Sequence, residues 1–137
     1  MAFIPTDPVQ RRLLAGTVAL LLLLVLTALT FVARHALDGW MTPLGLVAPL
    51  DLLAVAVSMG AGGVIARHGF RGWAVALVVI AGLAGAMAAY GTAPPAMAHA
   101  GRWMLRNTAL QLLLSAAVAW AAAHAGQRWA LRRPPAA

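Results

Sequence analysis

Four long apolar runs divide the chain, and short stretches rich in Arg, Gly and Pro separate them. Residues 13–33 carry no charge and include the five consecutive leucines Leu20 to Leu24. Residues 46–66 hold one charge, Asp51; residues 73–90 hold none and are bounded by Trp73 and Tyr90; residues 104–126 hold only Arg106 near the start. Each run is close to the roughly 20 residues that carry an α-helix across about 30 Å of hydrocarbon. The pattern predicts an all-α membrane protein, a bundle of four transmembrane helices with short loops. It forms a single membrane domain over residues 1–137, with short tails at 1–12 and 127–137.

The first run is longer than the 7–15-residue apolar core of a cleaved secretory signal, so it is expected to stay as a span. Between the first two runs lies a connector with turn residues Asp38, Gly39 and Pro43 and with Trp40 placed as an interfacial anchor. The second helix starts either near Leu44 or at Pro49, and the choice decides what Asp51 is. A start near Leu44 puts Asp51 about 10 Å along the helix axis, well inside the apolar layer. A start at Pro49 suits a residue with no N–H to lose, and it places Asp51 in the first turn, where its charge complements the helix dipole.

Composition supports the bilayer assignment. The chain is 63% hydrophobic and 9% charged, against about a quarter charged in ordinary soluble domains. All ten basic residues are Arg, and the formal net charge is +7. These Arg are scattered in ones and twos at the ends of apolar runs, not gathered on one wet face as a nucleic-acid binder would gather them. Arg11, Arg12, Arg67, Arg71, Arg128, Arg132 and Arg133 fall on one side of a four-span topology, and Arg34, Arg102 and Arg106 on the other. The excess predicts cytoplasmic N- and C-termini in a bacterial-type inner membrane. The chain has no cysteine, which removes disulfides, thiolate metal sites and thiol nucleophiles.

In that topology Asp51, Arg106, Asn107, Gln111 and Arg34 share one polar layer. Asn107, Gln111 and Ser115 recur at i, i+4 and i+8 on one stripe of the fourth helix. A carboxylate at membrane depth calls for a partner, and Arg106 is the first expected, Arg34 the second. The layer reads either as a structural ion pair or cap, or as a small site for a cation, proton or solute. Small residues also recur every four positions on the second span (Ala54, Ser58, Gly62, Ala66), on the third (Ala81, Gly85, Ala89) and on the fourth (Ser115, Ala119, Ala123). Such faces let helix backbones approach closely in lipid, which marks Ser58, Gly62, Ala66 and Gly85 as helix-packing positions.

The four histidines, His35, His68, His99 and His124, lie at span ends or in loops except for His124. They make a poor set of axial haem ligands, and no cofactor or metal is expected. HExxH, GxSxG and paired-carboxylate patterns are missing, and Gly60–Gly63 lacks the GK[ST] sequence of a phosphate loop. No motif is specific enough to tie the chain to a known family. The expected role is a non-enzymatic accessory or structural subunit in the lipid bilayer, as a homo-oligomer or within a larger membrane complex. The alternative is a small oligomeric transporter or channel with its solute site at Asp51.

Overall fold

A computed structural model describes residues 5–33, 40–92 and 100–133; Arg34, His35, Asp38, Gly39 and His99 lie outside them. Four helices dominate: α1 Pro8–Ala33, α2 Pro49–Ala66, α3 Arg71–Gly91 and α4 Gly101–Arg132. All four are long and apolar enough to cross a membrane. They are compatible with a multi-pass membrane protein.

The boundaries differ from the expected spans in physically informative ways. Helix α2 begins at Pro49, with Ala48 extended at its N-cap, so Asp51 lies in its first turn. Residues ahead of it form a two-stranded antiparallel hairpin, β1 Trp40–Thr42 and β2 Gly45–Val47, with Trp40 opposite Val47 and Thr42 opposite Gly45. The segment 46–48, expected to be helical, is therefore strand and cap. The turn sequence Thr42-Pro43-Leu44-Gly45 has Pro and Gly where a tight turn favours them. Thr42 closes it: the Oγ1 hydroxyl donates to Gly45 O at 2.6 Å and accepts from Gly45 N at 3.2 Å.

At the other end, α4 runs through Arg132, so most of the expected tail 127–137 is helix. Its 32 residues span about 48 Å at 1.5 Å per residue, well beyond the hydrocarbon thickness of about 30 Å. Its last two turns carry Arg128 and Arg132. Helix α1 likewise starts five residues before the predicted span, because Asp7 Oδ1 accepts the Val9 N–H at 3.0 Å and caps it.

The helices pack in the spatial order α1, α2, α4, α3, with α2 against α4 the most extensive contact. Glycine makes that contact possible. A Cβ built on Gly63 would stand 2.5 Å from Ala123 O, and one on Gly126 would run into Gly60 O, so the two backbones meet with no side chain between them. Around this seam lies a core of Ala15, Ala19, Met59, Phe70, Ala74, Val78, Ala119 and Ala123, all buried. Phe70, from the α2–α3 turn, is 0% exposed and lies against Gly62 in the core cluster that also holds Ala19. A Cβ on Gly62 would meet its ring at 2.5 Å. Of the expected packing positions, Ser58, Gly62 and Ala66 are buried. Gly85 is exposed, with nothing within 4 Å of an added Cβ, so it takes no part in packing among the described residues.

Candidate functional site

The polar residues cluster at the two ends of the bundle. At the hairpin end, the turn that starts α2 is held from both sides. From α1, Thr30 Oγ1 stands 3.3 Å from Asp51 Oδ1, which accepts its hydrogen bond, while Thr27 O accepts from the same hydroxyl at 2.9 Å. From α4, Asn107 Oδ1 accepts the Leu46 N–H at 3.2 Å, and Gln111 Oε1 accepts the Ala48 N–H at 3.4 Å. The i, i+4 spacing of Asn107 and Gln111 matches two successive outward N–H groups of an extended strand, two residues apart. This is why an amide pair one helical turn apart can pin β2.

Asp51, Asn107 and Gln111 thus come to the same end of the bundle, and Gln111 meets the chain at Ala48, three residues before Asp51. Arg106 does not join them: it is exposed and forms no ion pair among the described residues. It adjoins Asn107 in sequence but is about 100° away around the helix, and the face that meets the hairpin belongs to Asn107 and Gln111. Asp51 is half-buried, and as a first-turn acid it complements the α2 dipole. Gln111 Nε2 is buried without a hydrogen-bond partner among the described residues, so the amide N–H donors are left over in this layer once the amide oxygen is committed. Ser58 is buried deeper in α2, and its hydroxyl donates back to Ala54 O within the same helix.

The basic end has its own arrangement. Arg11 Nε donates to Ile65 O at 2.6 Å, satisfying one of the carbonyls left open at the α2 C-terminus. Arg71 Nε donates to Gln127 Oε1 at 3.3 Å, and its guanidinium carbon lies 5.8 Å from the Trp120 ring centroid. His124, one turn beyond Trp120, stacks on that ring at 5.5 Å and 15°. His124 Nδ1 and Gln127 Nε2 are both buried without partners among the described residues. Arg133 covers Trp129 at 3.7 Å, a cation–π contact that anchors the end of α4.

Set against protein-family models, curated proteins and solved structures, the chain matches none. The functional reading therefore rests on the geometry.

The sequence pattern singles out Asp51, Asn107 and Gln111 but not the hairpin segment that Asn107 and Gln111 hold, although Thr42, Pro43 and Gly45 carry a readable turn signal. It passed over Phe70 and Gln127, whose roles depend on neighbours 8 to 56 residues away. One outcome follows directly from the pinning contacts. Replacing Asn107 with Leu removes the acceptor of the Leu46 N–H and should cost about 1 kcal/mol, the net value of one hydrogen bond. Amide hydrogen exchange should speed up at Leu46 while exchange through the middle of α2 is unchanged.

Proposed function

We propose that the chain is a four-span protein of a bacterial-type inner membrane, with both termini cytoplasmic, serving as a non-enzymatic accessory or structural subunit. It would pack in the bilayer with copies of itself or with a larger membrane complex. The Arg excess at one end of the bundle supports the orientation. The observation that carries the role is where the side chains of the hairpin end are spent. Asn107 and Gln111 hold backbone N–H groups of the chain's own hairpin, and Thr30 bonds to Asp51. The residues best suited to grip a solute are thereby working as architecture.

Native mass spectrometry of the tagged protein, extracted gently from its own membrane, tests this reading. A second protein at fixed stoichiometry is the expected result for a subunit. A bare homo-oligomer fits the self-packing form of this reading and a small transporter alike, and the flux assay below separates the two.

A transport reading keeps one specific support, the buried Gln111 Nε2, without a partner among the described residues, beside the turn that carries the half-buried Asp51. A carboxylate and an amide donor at one end of a bundle are the elements of a small cation or solute site. Under the accessory reading, Asp51→Asn leaves cation flux through proteoliposomes at the level of empty vesicles, as it is for the unchanged protein. A flux seen with the unchanged protein and lost in Asp51→Asn would overturn it.

A further inference from the structure

At the basic end, the start of α1 and the end of α2 border a half-open cavity of about 260 Å³ lined by Arg11, Arg12, Arg67 and His68, with Thr6, Pro8 and Ala66 completing the wall. That is several times the roughly 30 Å³ a water molecule occupies in the liquid. Three arginines line it, and neither described carboxylate pairs with them: Asp7 caps α1 through the Val9 N–H, and Asp51 lies at the opposite end. Even with Asp7 adjacent in sequence, the local balance is about two positive charges.

The fold holds these groups in place at a visible cost. Arg67 sits at φ 60° and ψ −41°, outside any ordinary helix cap for a residue with a side chain. Such strain is kept where surrounding structure imposes it. The Arg12 guanidinium lies over Gly69, itself at φ 70°, and a Cβ there would come within 2.6 Å of Arg12 Nη2. Arg11 is anchored by its Nε to Ile65 O, which leaves its terminal nitrogens with donors to spare. The first turn of α1 adds the positive end of a helix dipole.

We propose that this cavity is an anion site that binds one phosphate group, with Arg11, Arg12 and Arg67 as its donors. Arginine's planar fork matches phosphate oxygens in pairs. The phosphate can come from an anionic phospholipid headgroup at the membrane surface or from free phosphate in the aqueous phase. Basic pockets at the ends of membrane helices are suited to the first, and only this lipid source rests on the membrane reading.

The test is native mass spectrometry of the full chain in a neutral detergent, titrated with phosphatidylglycerol or phosphatidylcholine, with inorganic phosphate as competitor. The expected result is one retained phosphatidylglycerol per chain and no retained phosphatidylcholine. The double variant Arg12→Gln, Arg67→Gly should bind on the order of tenfold more weakly or worse, from the loss of charged hydrogen bonds. Glycine at 67 suits the local backbone, so helix content by circular dichroism should hold. The control pair Arg128→Gln, Arg132→Gln removes equal charge from the same end and should stay within about twofold, since neither residue lines the cavity.

Displacement of the lipid by millimolar phosphate supports the site with free phosphate as its source. Retention against phosphate supports it with the lipid as its source. Equal retention of phosphatidylcholine, undiminished binding by the double variant, or an equal loss in the control pair would each overturn the proposal. An alkaline carbonate wash decides the membrane reading separately. Release without detergent would sink that reading and leave direct titration with inorganic phosphate to judge the cavity.

Discussion

Replacing Gly63 with Ala should destabilise the protein, while the same change at Gly85 should stabilise it. At Gly63 the added methyl meets Ala123 O at 2.5 Å, and a backbone carbonyl inside a helix cannot swing aside as a side-chain end could. Helices α2 and α4 must separate to admit it, which also opens the approach of Gly126 to Gly60 O. The expected loss lies at the upper end of the roughly 1–3 kcal/mol that overpacking costs. At Gly85 nothing lies within 4 Å, so alanine adds only its better helix propensity, a gain of up to about 1 kcal/mol. Unfolding by SDS titration in mixed micelles, followed by circular dichroism, reads both. Equal effects at the two positions would refute the backbone seam between α2 and α4.

The second large effect concerns Phe70. It is fully buried in the core cluster that also holds Ala19, with its ring against Gly62. Truncation to Ala removes most of a ring from a closed site, and the expected cost is about 3–5 kcal/mol. Gly62→Ala should also destabilise on its own, because the new Cβ would stand 2.5 Å from the ring. In the Phe70→Ala background that clash is gone, and the methyl fills part of the vacated space. The double variant should therefore be more stable than the sum of the single losses implies, with a coupling of about 1 kcal/mol or more. Strict additivity in the same SDS titration would show that the ring does not rest on Gly62.

Both predictions use small residues that the sequence made visible only as a repeat. Spacing every four positions marked Gly62 and Gly85 alike, yet one lies under a buried phenylalanine and the other is exposed. The repeat is a property of one helix, whereas packing is a property of two. With alanine and glycine so abundant, every helix offers several such faces, and the choice among them is made by the neighbour. The same holds at the hairpin end. The Asn107 and Gln111 stripe could be read from i, i+4 spacing, but their partners lie 61 and 63 residues away. The expected Asp51–Arg106 pair failed for a related reason. Shared depth along two helices does not put two side chains on facing sides, and Arg106 is on an exposed side of α4.

What the sequence by itself determined is the set of four helices and their capacity to cross a membrane. Length and apolar content are local quantities, and a run of about 20 apolar residues satisfies its own backbone hydrogen bonds whatever surrounds it. The Arg excess on one side is equally local and equally legible. Only the tertiary structure decided the order α1, α2, α4, α3, the glycine seam, the burial of Phe70, the hairpin held by two amides and the gathering of Arg11, Arg12 and Arg67 around one cavity. Each of these depends on atoms from segments far apart in the chain coming within a few ångströms. Hydrophobicity, being non-directional, says that a face is apolar and leaves to packing which face it meets.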